Sequence, residues 1–375
     1  MDEARNKLKD LVDRGLLPME QVALMLESIN TADPSRVDHL RVSANAARAA
    51  TTPLESRSAS DRVSLAAAGV KRIKLDNKAG DVLICCREGD TIELVVERKV
   101  SATSAADAEA LLPQMQLRQD REGDLVRWQV RAHERLAGVH HDANVVLSLP
   151  PGLVVETLAS GGVEVRQTRG DLKITAAASI LVREHRGKLT LRCRQGDIDA
   201  EALSGELDLS TESGHVRLRD VSGPLRAASH NGNVDLSQAR GDLRLSLPSG
   251  DCHVHQVEGE LQVRIGSGNL LVEAASLASL DAILTHGSAR VTLAPPPESD
   301  ITIRAKHGDV HLSLPPATCA SVKLKSAAGS IQADVPWSER SGEGREIHGV
   351  IGGRAAARVA VAADQGNVRL TLEPA

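Results

Sequence analysis

The chain has no phenylalanine, no tyrosine and only two tryptophans, Trp128 and Trp337, among 375 residues. A conventional globular core of this length draws on aromatic side chains, because each buries so much apolar area. Their near-absence excludes such a core and leaves a narrow interior filled by small and aliphatic residues. It also removes the stacking platforms that sugar binding commonly uses. Long apolar runs are missing too: nothing approaches eighteen consecutive apolar residues, so no membrane span is expected. The start, Met1-Asp2-Glu3-Ala4-Arg5, leads into a charged helical pattern rather than a basic segment with an apolar core, so no signal peptide is expected. Cysteine is scarce. Five residues, an odd number without motif spacing, do not describe a disulfide framework. Together these features point to a cytoplasmic location. The net charge of −5 gives no drive toward nucleic acid.

What is present is glycine on a fixed beat. Gly187, Gly196, Gly205, Gly214, Gly223, Gly232, Gly241, Gly250, Gly259 and Gly268 follow at intervals of nine residues. With a one-residue slip the series runs back through Gly170, Gly161 and Gly152. A fixed period marks a stacked repeat architecture. Most of these glycines open the pattern Gly-x-apolar-x-apolar, as in Gly205-Glu-Leu207-Asp-Leu209 and Gly232-Asn-Val234-Asp-Leu236. Strict alternation predicts short strands with one face buried and one wet. Alternate half-repeats differ. After Gly205, Gly223, Gly241 and Gly259 the sixth residue is Thr211, Ser229, Leu247 or Ile265, continuing the inward set. After Gly214, Gly232 and Gly250 it is polar (Asp220, Gln238, Gln256), and the apolar residue moves to Val221, Ala239 and Val257. One half-repeat is therefore a longer strand and the other breaks at a corner.

A hairpin array has no need of two half-types, whereas a coil with two different sides does. No segment is long enough to serve as a crossover helix between parallel strands, so the coil itself makes the crossover. The prediction is a mainly β fold: a single-stranded parallel β-helix, or β-solenoid, of about 18 residues per coil, preceded by a short α-helical hairpin. Residues 152–294 hold the most regular repeats, roughly eight coils and about 40 Å of axis at ~4.8 Å per coil.

The domain reading is a helical hairpin at 1–30, a flexible linker at 31–62 and the solenoid at 63–375. In the hairpin, Leu8, Leu11 and Val12, then Val22, Leu26 and Ile29, form narrow apolar stripes either side of Gly15 and Pro18. Thirty residues cannot bury a stable core alone, so this element is expected to self-associate or dock on a protein partner. The linker is rich in Ala, Ser, Thr and Arg, with Pro34 and Pro53. Between 63 and 151, strand patterns lie at Val70–Leu75, Asp81–Cys85, Thr91–Val96, Leu125–Val130 and Asn144–Leu149, with a helix-like stretch at Ser104–Leu112. Beyond Pro295-Pro296-Pro297 the turn phrase recurs at His307-Gly308-Asp309, Ala328-Gly329-Ser330 and Gln365-Gly366-Asn367. Residues 338–356, with five glycines and mixed charge, read as an exposed loop.

The phrases Ser267–Val272, Asn231–Leu236 and Gln365–Leu370, with Val146-Leu-Ser-Leu-Pro-Pro-Gly152, resemble the bacterial putative adhesin repeat family, a domain of unknown function. Residues 4–29 resemble the SHOCT-like helical hairpin that often precedes it. The resemblance implies a right-handed β-helix behind a helical hairpin. The family has no established catalytic residues, so it implies none here.

Asp197, His215, Asn233, Asp251 and Asn269 follow alternate glycines and stack coil on coil. Short polar side chains at such places satisfy turn backbone groups, and a turn ladder is expected rather than a ligand groove. Calcium-binding β-rolls need Gly-Gly-x-Gly-x-Asp turns, and here the acidic position varies to His or Asn. Thirteen histidines raise zinc, yet His253 with His255, His140 with His141, and His307 with His311 have no third ligand at recognisable spacing. They read as solvated surface histidines. Cys193 and Cys252 occupy inward positions and read as buried thiols. There is no Gly-x-Ser-x-Gly, P-loop or paired-Cys metal signature. No catalytic, cofactor-binding or metal residue is assigned, and no obligatory metal or cofactor is expected. The sequence supports a non-catalytic structural or interaction protein, a rigid β-solenoid displaying protein-binding surfaces, with residues 1–30 as interaction module. Two alternatives stand beside it: a bactofilin-like self-assembling scaffold and, more distantly, a solenoid carbohydrate-active enzyme.

Overall fold

The computed structural model describes residues 54–353 and 356–372. The predicted hairpin at 1–30 and most of the predicted linker lie outside the described residues. Contacts divide the described residues into two units, 54–56 with 102–108 and 57–101 with the rest from residue 109 onward. Of the first, the described part is mainly a capped helical turn: Ser104 Oγ accepts the Asp107 N–H at 3.2 Å and donates to its carboxylate at 2.7 Å.

The second unit is a stack of parallel strands in register. Leu189, Leu207, Leu225, Leu243 and Leu261 pair in succession, each 18 residues from the last. The opposite side repeats the step through Ile198, Val216, Val234, Cys252 and Leu270. The expected inward set is buried: Leu207, Leu209, Leu243, Leu245, Leu261 and Val263 are each at most 2% exposed. Aliphatic columns running from coil to coil make one continuous core. Thr211 and Ser229 also point inward, and their hydroxyls donate to the carbonyls of Gly196 and Gly214 at 3.0 and 2.8 Å. A buried hydroxyl is tolerable only with such a partner.

The turns explain the glycine beat. At Gly232 φ is +149°, and a Cβ there would run into the carbonyl oxygen of Gly214 one coil below. Both requirements exclude an L side chain. The predicted corner of the second half-type is a column of non-glycine residues with positive φ: Ala202, Asp220, Gln238, Gln256 and Ala274, at 52 to 57°. That single left-handed residue spoils the alternation and moves the next inward side chain to Val221, Ala239 and Val257.

Both ends of the stack depart from chain order. Arg72–Asn77 lies between Leu125–Ala132 and Val154–Ala159, so the first coil is second in space. At the other end Ala357–Gln365 lies between Asp300–His307 and Ala320–Ser326, and Val368–Leu372 between Val310–Leu314 and Ile331–Asp334. The last strands of the chain are thus wedged inside the stack. Antiparallel strands cover the terminal coils: Met115–Glu122 pairs with Leu125–Ala132, Thr91–Ala102 with His140–Leu149, and Glu346–Ile351 with Ala320–Ser326. Both tryptophans belong to these ends. Trp128 is fully buried, its Nε1 donating to Gln119 Oε1 at 3.1 Å. Trp337 opens a covering hairpin.

Two expectations need correction. Strand Glu55–Ala66 begins inside the segment read as linker and pairs with Thr91–Ala102. Its alternation is faint in the sequence, because only Ala59, Asp61, Val63 and Leu65 turn partly inward and residues 55–58 are polar and exposed throughout. The predicted exposed loop at 338–356 holds a β-hairpin, Trp337–Ser341 with Glu346–Ile351, whose Ile347 and Ile351 are buried. Its glycines mark the tight turn and close packing rather than disorder.

Candidate functional surfaces

The turn residues form a ladder of side chain to backbone bonds. The N–H of His215 donates to Asp197 Oδ1 at 2.8 Å, that of Asn233 to His215 Nδ1 at 3.1 Å, that of Asp251 to Asn233 Oδ1 at 3.0 Å, and that of Asn269 to Asp251 Oδ1 at 2.7 Å. The ladder continues beyond the regular repeat and follows space rather than sequence: Ser288, Asp309, Asn367, Ser330. The His215 N–H, with the Arg217 guanidinium behind it, holds the Asp197 carboxyl below the usual carboxylate range. These residues spend their acceptors on the backbone, as a turn ladder requires.

Most of the paired histidines sit on the surface and do not converge. His253 Nδ1 is 3.1 Å from Asp235, and His255 Nδ1 is 3.9 Å from Glu273, on neighbouring coils in opposite directions. His141 Nδ1 contacts the Val139 carbonyl at 2.8 Å. His307 stacks on His286, with ring centroids 4.7 Å apart, and meets Gln365 rather than His311. Among the described residues, no three His, Cys, Asp or Glu side chains gather as metal ligands. Cys193 and Cys252 are buried as expected, and burial pushes both thiols up.

One histidine corrects the surface reading. His185 is fully buried, with Nδ1 2.9 Å from Thr168 Oγ1, itself 1% exposed. Its Nε2 is buried without a hydrogen-bond partner. Burial lowers its pKa to about 4, so the ring is neutral. The pair occupies the inward column that continues as Leu203 and Val221. The position was legible: Thr168 stands seven residues after Gly161, where the second half-type turns inward. A hydroxyl beside an imidazole resembles a nucleophile with its base, but burial of both members denies a substrate access, and no carboxylate hydrogen-bonds the ring. The left-handed corner borders open grooves. One of about 390 Å³ is lined by Cys86, Pro151, Gln167, Thr168, Glu184 and Arg186, and His185 is not in its wall. Another of about 610 Å³ runs along Asp220, Gln238, Gln256 and Ala274.

A family model described as Toastrack DUF4097 matches residues 44–298. No curated protein matches. Among solved structures, a putative adhesin from Parabacteroides merdae is 11% identical, over 84% of this chain and 96% of that one, with a TM-score of 0.33. A putative adhesin from Parabacteroides distasonis is 10% identical over 84% and 97%, at 0.28. A putative cell adhesion protein from Clostridium sporogenes is 10% identical over 84% and 100%, at 0.20.

Proposed function

The chain belongs to the Toastrack DUF4097 family, and from that premise we propose that it is a non-catalytic interaction protein whose coil stack presents side chains to a protein partner. One observation carries the reading: parallel in-register pairing arranges outward residues in straight columns, about 4.8 Å from rung to rung. A surface fixed by a backbone ladder and a side-chain turn ladder is preorganised, which lowers the entropic cost of binding. The helical hairpin at 1–30 is the module that docks or self-associates, and the protein works in the cytoplasm.

The test is cross-linking of the full chain in cells, read by mass spectrometry. It is repeated on a variant carrying Leu8→Asp, Leu11→Asp and Leu26→Asp. The expected result is a defined cross-linked protein, or a second copy of this chain, joined through residues 1–30 and lost in the variant while the melting temperature stays unchanged. Cross-links that persist in the variant would remove the hairpin from the proposal. Their complete absence in the unmodified chain would sink the interaction reading.

A further inference from the structure

The outward column that faces solvent on the second half-coils mostly alternates or pairs its charges. Asp199, Arg217, Asp235 and His253 follow in register. Arg217 is ion-paired with Asp197, and His253 Nδ1 lies 3.1 Å from Asp235 Oδ1. Farther along, the same column runs Arg290, His311, Arg369. These are three basic side chains on consecutive rungs, the two arginines roughly 10 Å apart at their backbones. Like charges opposite one another across strands are destabilising. No carboxylate among the described residues forms an ion pair with Arg290 or Arg369. Both guanidiniums are exposed.

Chain order alone would set Gln332 beside His311. The wedged-in strand Val368–Leu372 puts Arg369 there instead. His311 is half-buried between the arginines, and Nε2 lies 3.1 Å from Thr371 Oγ1, which lies 3.0 Å from Ser313 Oγ. Burial lowers the His311 pKa, and the charges of Arg369 and Arg290 lower it further. The column borders a groove of about 700 Å³ whose other side carries Ser288, Asp309 and Asn367 of the turn ladder. Asp309, the carboxylate in that wall, is engaged by the N–H and the side-chain amide of Asn367.

We propose that Arg290, His311 and Arg369 form a binding site for an oxyanion of the phosphate or sulfate type. Guanidinium forks match the geometry of such anions, and two arginines on the rungs either side of His311 have side chains long enough to reach one anion between them. The Thr371 hydroxyl, itself bonded to Ser313, anchors the His311 ring between the arginines. An anion there removes the repulsion that the bare column carries. The proposal does not depend on the protein-partner reading, since its ligand is a small charged group, free or esterified on a polymer.

The measurement is the ring resonances of His311 in the full chain, followed during titration with sodium sulfate, sodium phosphate and dextran sulfate. Neutral dextran is the control, and ionic strength is held constant with sodium chloride. The expected result is a saturable shift that Arg290→Gln/Arg369→Gln reduces at least tenfold in affinity, with the melting temperature of that variant unchanged or raised. Saturation by dextran sulfate at much lower concentration than by inorganic sulfate identifies an esterified polymer as the source. Similar concentrations identify the free ion. Absence of a saturable shift with all three anions, or the same shift in the double variant, overturns the site.

Discussion

His185 occupies a column that aliphatic side chains fill elsewhere, and that choice has a consequence in acid. Above pH 6.5 its imidazole is neutral in both folded and unfolded chains and contributes no pH dependence. Below that, the unfolded chain binds a proton that the folded core refuses until about pH 4. Stability therefore falls as pH drops through this window, by roughly 3 kcal/mol in all. Asp197 acts lower down: its depressed carboxyl stabilises the fold above the ordinary value of 3.8, and that contribution is lost only as pH falls through the folded value. Melting temperature against pH should separate the two. Thr168→Val/His185→Leu, which removes both members and so leaves no orphaned hydroxyl, should flatten the slope between pH 6.5 and 4; an unchanged slope would show that His185 is not the acid-labile group. Backbone geometry gives a second residue-scale prediction with opposite signs at two corners. Gly232→Ala meets both positive φ and the Gly214 carbonyl, and should cost about 2 kcal/mol or more. Gln238→Gly relieves a left-handed residue at φ 54° and should stabilise by up to about 1 kcal/mol. Urea midpoints of the two variants, moving in opposite directions, are the check.

Antiparallel strands at the two ends solve a problem that any open coil stack has. A terminal coil exposes a row of unpaired N–H and C=O groups, a template for another chain. Glu346–Ile351 covers the edge of Ala320–Ser326, and Met115–Glu122, whose outward residues are largely charged, covers that of Leu125–Ala132. End-to-end stacking of the bactofilin kind needs those edges free. Replacing residues 337–351 by a short Gly-Ser linker should therefore produce concentration-dependent association, detected by light scattering, from a chain whose unmodified form shows none through this edge. A variant that stays in its original state at every concentration would mean that the hairpin is not an edge guard. The element scale is also where sequence reading succeeded and failed for identifiable reasons. The eighteen-residue coil was legible because in-register stacking forces one residue per rung, so the Gly205, Gly223, Gly241 beat survives in the letters. The corner was legible because a left-handed Gln238 shifts the inward residue to Ala239. The wedged order of the last coils was not, because Gly308, Gly329 and Gly366 carry the same phrase whichever of them stacks first. The covering hairpin was hidden because its glycines look like those of a loop. For the same reason the basic column could not be read from sequence: Arg369 stands 58 residues from its neighbour His311.

Across the coil stack as a whole, stability is shared between neighbours rather than concentrated in one centre. Each coil contributes its own layer, and the interfaces to the coils on either side contribute the rest. Damage should then depend on where it falls. Leu243 is 1% exposed, between Leu225 and Leu261 in the middle of the regular run. Leu243→Asp places a carboxylate among aliphatic side chains with no partner, a burial that costs several kcal/mol unless the group protonates or the coil opens to water. Opening that coil removes one interface from each neighbour, so the loss spreads in both directions. Ile331 offers the contrast: it is half-buried in a terminal coil and has one parallel neighbour, Val368. Ile331→Asp can open its strand without uncoupling anything beyond. Hydrogen exchange followed along the chain is the measurement. Leu243→Asp should lose protection across at least the strands at 225–231, 234–249 and 252–267, with a lower or split melting transition. Ile331→Asp should lose it near 331–334 alone, with little change in melting. Equal, chain-wide loss in both variants would mean that the stack melts as one indivisible body. Native protection in Leu243→Asp would mean that the residue does not face the core.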